Sequence, residues 1–299
     1  MLSQDVTEIW TNYAGFWNSS EASPNSVLPD NSHELLAFKF GATTYSTGVN
    51  DAKLANNSVP FNPQNFRALP IVSLPTSGTG AYFIGLGQLA DGINGGVNNS
   101  SSFPFEAITS GFEVAKFLTD GAQGLDLGTN VTNINPGSVP EIKLSTTAGI
   151  TEASINDGIP DILISQAAQP TGTTDQLRFV DASGNTVGNL ITLNFQNEPI
   201  LGTWNMDFYE PNSTQGQNSF INTTRDIYFF AVDIADFNID SSNFNDAFAL
   251  EYTPSGDSDP AFIAFNEPSL GVATQLVEIS TVNSNQNCDG TLPNNIEIQ

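Results

Sequence analysis

Glycine and proline interrupt this chain at intervals of about ten residues, and no stretch keeps an amphipathic helical period for about fifteen. The segments between them are short and rich in β-branched and aromatic residues. In 203–209, Trp204, Met206 and Phe208 fall on one face, and alternation places Asp207 on the opposite face, toward solvent. The pattern predicts an all-β fold, an antiparallel β-sandwich that is jelly-roll-like and has few short helices.

Further strands are predicted where an apolar or alternating run lies between turn residues: 35–40, 162–165, 176–180, 190–195, 226–232, 247–252 and 261–265. Asp181, Gly184 and Asn185 lie between two of these runs and are typical of a hairpin turn. Short helices are predicted near 110–118 and 234–248.

The domain organisation favours one β-sandwich module over residues 4–282, although a boundary near 137–140 would divide it into two sandwiches. Residues 283–299 have the composition of a linker into a following module. Cys288, the only cysteine, lies in this linker and cannot form an internal disulfide. It is either a free thiol or the partner of a cysteine beyond residue 299.

The charge balance excludes some classes of partner. Seven Lys and Arg stand against 32 Asp and Glu, which gives a net charge of −25. Nucleic acid and anionic lipid both need clustered cations, so neither is expected as a partner. No run approaches the 18 or so apolar residues of a membrane helix, and membrane insertion is not expected. A cation or a neutral glycan is compatible with this surface.

The acidic loop NDGIPD, residues 156–161, is a candidate calcium site with Asp157 and Asp161 as ligands. The turn GDSDP offers a second pair, Asp257 and Asp259. Ca²⁺ takes six to eight oxygen ligands, and repetitive calcium loops supply them at alternate positions. The two alternate positions before Asp157 hold alanine and isoleucine, which have no side-chain oxygen. A turn followed by a strand is therefore the favoured interpretation, with Ca²⁺ kept as a possible cofactor.

Catalytic patterns are scarce. His33 is the only histidine, and no Gly-x-Ser-x-Gly motif is present, which argues against a hydrolytic triad. One histidine and one distant cysteine also exclude the usual zinc ligand sets. A carboxylate pair for glycoside hydrolysis is harder to exclude, and Asp207 and Glu210 beside Trp204 are the pair to inspect. The sequence as a whole predicts a protein that is not an enzyme.

Three aromatic residues close to the start, Trp10, Tyr13 and Trp17, are the candidate ligand-binding residues. Exposed flat rings flanked by Asn and Asp suit stacking on the apolar face of a sugar. The alternative is that these rings pack against the sandwich and anchor the N-terminal segment.

Several phrases of the chain carry a family resemblance. They are the opening QDVTEIWTNYAGFWNSS, then LLAFKFGATTYSTGVND, FRALP, IGLGQLADGIN, FLTDGAQGLDLGT and DGIPDILISQAAQPTGTTDQLRFVDASGNTVGN. These phrases cover nearly all 299 residues and resemble the N-terminal module of large secreted cell-surface proteins of the Bacteroidetes. Such proteins are exported by the type IX secretion system and often end in a gliding-motility-associated sorting domain.

This resemblance implies an extracellular, cell-surface location and an adhesin-like parent protein, with other modules of the same long chain as neighbours. It brings no functional residues with it. Together with the composition, it predicts a non-enzymatic module that binds glycans or surfaces. Two alternatives stay open: a structural cap or spacer of a surface stalk without its own ligand, and a carbohydrate-active hydrolase.

Overall fold

The computed structural model describes residues 5–20, 33–73, 83–87, 115–132, 142–145, 149–209, 221–256 and 258–272. Strands in these ranges are β1 (Val6–Thr11), β2 (Trp17–Asn18), β3 (Leu35–Phe40), β4 (Thr43–Ser46), β5 (Phe66–Ala68), β6 (Ile71–Ser73), β7 (Phe83–Gly87), β8 (Thr129–Thr132), β9 (Ile142–Ser145), β10 (Gly149–Ile150), β11 (Ile162–Ala168), β12 (Asp175–Val180), β13 (Thr186–Leu193), β14 (Gly202–Tyr209), β15 (Ile221–Val232), β16 (Ala249–Thr253), β17 (Pro260–Asn266) and β18 (Leu270–Gly271).

Helical structure in the same ranges is short. The α-helix α1 spans Asp51–Asn56. The 3-10 helices are Tyr13–Gly15, Ala115–Leu118, Ala122–Gly124, Glu152–Ser154, Phe195–Asn197, Ile234–Phe237 and Phe244–Asp246. Among the described residues, no helix has the length and apolar character needed to cross a membrane.

The strands form three main antiparallel sheets. A seven-stranded sheet has the order β5-β17-β11-β15-β14-β7-β8, a five-stranded sheet β13-β12-β16-β9-β6, and a four-stranded sheet β2-β1-β3-β4; β10 and β18 form a small separate pair. The prediction of an all-β antiparallel sandwich with few short helices is confirmed. The predicted hairpin turn is also present, since β12 pairs with β13 and the Asp181 amide donates to the Asn185 carbonyl at 2.8 Å.

The seven-stranded sheet lies in the middle and is buried on both faces. Along β15, Phe230 and Val232 join the core shared with the five-stranded sheet, whereas Phe229 and Ala231 join the core shared with the four-stranded sheet. Burial on both faces explains why β11 and β17 are buried at every position. The molecule is therefore a sandwich with three layers.

The third layer corrects one expectation about β14. Trp204, Met206 and Phe208 share a face, as alternation predicts, and point into the core under the four-stranded sheet. Asp207, expected toward solvent, is 0% exposed because the opposite face of β14 is also covered. Its carboxylate accepts a hydrogen bond from the Asn222 side-chain amide at 3.0 Å.

Strands before and after residues 137–140 lie in the same sheets, because β8 pairs with β7 and β7 with β14, and β6 pairs with β9. Residues 137–140 themselves, and the expected linker 283–299 with Cys288, lie outside the described residues. The helices predicted near 110–118 and 234–248 correspond to short 3-10 helices within those segments.

Candidate functional site

Trp10, a candidate ligand-binding residue, is only 6% exposed, which leaves no face of its ring for stacking on a ligand. It packs with Leu36 and Leu54 in a small core beneath α1, on the outer face of the four-stranded sheet. The helix that covers it begins after Asn50, whose side chain accepts the Lys53 amide at 2.9 Å, an N-cap that satisfies one of the unpaired amides of the first turn.

Tyr13 and Trp17 are partly buried and surround His33. The Tyr13 and His33 rings are stacked with their centroids 4.9 Å apart, and Trp17 meets Trp204 edge-on at 5.2 Å. His33 is 0% exposed and lies 4.6 Å from the Trp204 ring. These contacts pack the N-terminal segment against β14. The geometry is that of an anchor, and stacking of Tyr13 or Trp17 on a sugar stays a prediction.

His33 is not placed to act as a base. Neither ring nitrogen has a hydrogen-bond partner among the described residues, and burial lowers the pKa of His33 to about 3, so the ring is neutral. A general base needs a partner within hydrogen-bond distance and access to substrate, and the buried ring of His33 meets neither condition here.

The NDGIPD loop is a turn in which Asn156 and Gly158 have φ angles of 60° and 81°. Asp157 is exposed and accepts the Ile159 amide at 2.8 Å. Asp161 is buried, accepts the Ile234 amide at 2.7 Å, and has its pKa raised to about 8, mainly by burial. The two carboxylates are near enough for the Asp157 charge to contribute to this rise.

Calcium binding at these acids stays a prediction. Within the described ranges, no three Asp, Glu, His or Cys side chains converge on a point that could hold a metal ion. Asp257 lies outside the described residues. Asp259 is paired with Arg225 at 3.2 Å, so a cation already compensates its charge. Glu210, one of the two acids considered for glycoside hydrolysis, also lies outside the described residues, and Asp207 is buried.

The described residues contain an open polar groove of about 880 Å³ on the five-stranded side of the molecule. One wall is the β12–β13 turn and the start of β13, and the other is the segment 243–248 before β16. The residues that line the groove include Asp181, Ser183, Thr186, Asn245, Asp246 and Phe248.

Phe248 is 47% exposed, one of three large exposed hydrophobic residues of the described chain. Its amide donates to the Val180 carbonyl at 2.8 Å, which ties the Phe248 backbone to the end of β12. Most phenylalanines of the described chain lie in the cores, whereas Phe248 is half-exposed in a polar groove.

Asp181 orders the opposite wall. Its carboxylate accepts the amides of Ser183 at 2.8 Å and Asn185 at 2.9 Å, and the Asn185 side chain at 3.0 Å. Hydrogen bonds from the Asn185 side chain and backbone lower the pKa of Asp181, so the groove carries a stable negative charge. A general acid of a glycosidase needs a raised pKa instead, which argues against hydrolysis by this residue.

Sequence reasoning missed this groove because its walls come from segments about 60 residues apart, whereas strand and turn patterns are recognised within one run at a time. The available signal was the run SSNFNDAF, residues 241–248, where phenylalanine recurs among Asn and Asp without a strand pattern. Comparisons of the chain with protein-family models, curated proteins and solved structures found no match. The function must therefore be inferred from the residues themselves.

Proposed function

We propose that this chain is a non-enzymatic, extracellular module of a large cell-surface adhesin-like protein, and that it binds a glycan in the polar groove. The observation that carries the proposal is Phe248, half-exposed in a groove that is otherwise lined by Asn, Asp, Ser and Thr.

The chemistry of the groove suits a sugar. One face of a pyranose ring presents C–H groups, which gain free energy when they stack on an aromatic ring, while its hydroxyls need hydrogen-bond partners. Phe248 offers the ring, and Asn245, Asp246 and Ser183, which line the same groove, offer amide, carboxylate and hydroxyl groups. An apolar ligand would leave these polar groups unpaired, which costs free energy.

The charge of the groove favours an uncharged sugar. Asp181 and Asp246 are acidic, and no Lys or Arg is among the described residues that line the groove. A uronate or a sulfated sugar would place an anion beside two carboxylates, and Arg178, which reaches Thr186 at 3.3 Å, is already paired with Glu251 at 2.7 Å. We therefore expect a neutral oligosaccharide as the ligand.

The scaffold supports binding without large rearrangement. The hydrogen bonds of Asp181 fix the β12–β13 turn, and the Phe248–Val180 hydrogen bond fixes the facing segment. Groups held in place before binding lose little conformational entropy when the ligand arrives. The extracellular location and the neighbouring modules of the same chain are inferred from the sequence resemblance alone. A spacer without a ligand is the alternative.

The test is a glycan array probed with the full chain, followed by titration calorimetry with the best neutral oligosaccharide. Phe248→Ala should weaken binding about tenfold, equivalent to ~1.4 kcal/mol. The matched control is Ile200→Ala, because Ile200 is also about half exposed, at 50%, but does not line the groove. This control should bind like the wild type. The proposal is wrong if no neutral glycan binds, or if both variants bind equally well.

A further inference from the structure

A buried junction joins the four-stranded sheet to the seven-stranded sheet at the start of β3. The His33 amide donates to the Asp126 carboxylate at 2.5 Å, the Leu127 amide to the His33 carbonyl at 2.8 Å, and the Leu35 amide to the Leu125 carbonyl at 3.0 Å. The segment 120–128 is thus attached through residues 125–127 to His33 and the start of β3, and it continues directly into β8.

Two aspartates lie side by side inside this junction. Asp120 is 2% exposed and Asp126 is 3% exposed. The Thr129 hydroxyl lies 3.1 Å from Asp120 Oδ2 and 3.3 Å from Asp126 Oδ2, so both carboxyl groups approach the same hydroxyl. A hydroxyl has one proton and donates it to one acceptor at a time. The Thr129 proton therefore cannot satisfy both carboxylates.

Asp126 uses its other oxygen, Oδ1, for the backbone, since it accepts the amides of His33 and Gly128. Asp120 differs, because its Oδ1 is buried and accepts no well-aligned hydrogen bond from the described residues; the Gly121 amide favours the charged form of the carboxyl, but less than burial opposes it. A buried carboxylate oxygen without a donor is costly when the group is ionised, and much less so when the group carries a proton.

The charged groups around the pair do not compensate it. Glu34, on the β3 side, is itself acidic and raises the pKa of both aspartates. His33 is uncharged because of its burial. Lys116, on the 3-10 helix that packs against β8, forms no ion pair with either aspartate in the described part of the chain. Two ionised aspartates would therefore face each other without a counter-ion from these neighbours.

One further cation comes from β5, which packs against the Ala122–Gly124 turn. This is Arg67, and it pairs with Glu267 at 2.9 Å. Glu34 is held by other donors, with the Ala122 amide at 3.0 Å and the Asn12 side-chain amide at 2.6 Å. Glu34 therefore brings no cation to the pair, and its effect is to raise the pKa of both aspartates.

We infer that Asp120 and Asp126 share one proton in the folded protein, and that this proton holds the two ends of the segment 120–128 together, with Asp126 in place to accept the His33 amide beside β3. Asp120 is the member that gains most from carrying it, since Asp126 accepts two backbone amides and needs its lone pairs for them. The junction is then a pH-sensitive latch, by which we mean that it is stable while the proton is bound. When the proton is lost, two facing negative charges destabilise it.

The direction of the pH dependence follows from burial. Desolvation raises the pKa of Asp120 from 3.8 to about 7 and raises that of Asp126 well above its usual value. A folded-state pKa above the unfolded value means that folding takes up a proton. The stabilisation is complete below pH 3.8 and is lost as the pH rises toward about 7 and beyond. The latch therefore weakens from mildly acidic to alkaline pH.

The experiment compares thermal unfolding of the full chain at pH 5.5 and pH 8.5. The Tm of the wild type should be lower at pH 8.5 than at pH 5.5. Asp120→Asn, an uncharged analogue of the protonated acid, should lose less Tm over this pH range and should have a higher Tm than the wild type at pH 8.5. The matched control is Asp246→Asn, because Asp246 is an exposed acid of the groove. The Tm of this variant should decrease as much as that of the wild type between pH 5.5 and pH 8.5. An equal fall in wild type and Asp120→Asn would overturn the inference.

Two further measurements keep the inference falsifiable if Asp120→Asn does not fold. Carbon-detected NMR of the wild-type carboxyl groups should show one protonated carboxyl between Asp120 and Asp126 at pH 5.5; two ionised groups would contradict a shared proton. Calcium chloride should not raise the wild-type Tm at pH 8.5. A rise that Asp126→Asn abolishes would mean that a cation holds the pair, and the shared proton would be wrong.

Discussion

Asp181 in the groove and Asp120 in the junction both belong to turns beside a strand, but their surroundings are opposite. Asp181 lies at the surface and accepts three hydrogen bonds, which lower its pKa. Asp120 is 2% exposed, has one oxygen that accepts no well-aligned hydrogen bond from the described residues, and has its pKa raised to about 7 by burial. The same residue type is therefore a fixed charge at one site and a proton carrier at the other.

The net charge of −25 counts every acid as ionised, whether it lies at the surface or is buried. Surface acids such as Asp181 and Asp246 line the groove, where a ligand of the proposed kind would meet them. Buried acids such as Asp120 and Asp126 contribute little to the external charge when protonated, and they act on stability instead. The formal charge overstates the charge that a ligand meets.

The largest expected effect is in the junction. Asp126→Ala removes the acceptor of the His33 and Gly128 amides and leaves two buried N–H groups unpaired, which should lower the free energy of unfolding by about 3 kcal/mol. Urea unfolding at pH 6 measures this. Asp126→Asn keeps a side-chain acceptor and should lose clearly less. Equal losses in the two variants would show that the two backbone hydrogen bonds do not hold the junction.

An intermediate effect is expected in the groove, where the charge of the ligand should change its binding affinity. A neutral oligosaccharide should bind about tenfold more tightly than its carboxylated counterpart of the same length, since the groove offers carboxylates and no described cation (a tenfold ratio is ~1.4 kcal/mol). Asp246→Asn should reduce the ratio of the two affinities, because it removes one carboxylate from the groove. Calorimetry at low salt measures this ratio. Tighter binding of the carboxylated sugar would contradict the predicted charge preference.

The smallest effect concerns calcium. Asp161 has a raised pKa and Asp259 is paired with Arg225, so neither is an available anion at pH 7. We therefore expect the Tm to change by less than about 1 °C between millimolar calcium and chelator, since only a ligand that binds the folded state shifts it. A larger rise that is lost in Asp157→Asn would instead establish the calcium site considered from the sequence.

Secondary structure could be predicted well because it depends on neighbours in the sequence. Alternation correctly placed Trp204, Met206 and Phe208 on one face of β14. It could not place Asp207, because a strand's own pattern does not reveal a second sheet that covers its other face. Trp10 shows the same limit, since burial beneath α1 depends on how the helix folds back over the sheet.

The two sites could not be predicted because each is assembled from distant segments. His33 and Asp126 are 93 residues apart in the chain, and only the attachment of 120–128 to β3 brings them together. Phe248 lay where a predicted helix near 234–248 overlapped a predicted strand over 247–252, and neither pattern gave its exposure. A long-range contact must exist before burial, charge and hydrogen bonding can give either site its properties.

The most direct test of the account is amide NMR of the full chain, titrated with the neutral oligosaccharide that binds best on the array. We predict that ligand-induced shifts are concentrated at 181–188 and 243–248, and that the amides of Trp10, Tyr13, Trp17 and the junction are unchanged. Shifts concentrated at Trp10, Tyr13 and Trp17, or no shifts with any neutral glycan, would contradict the assignment of the groove as the binding site.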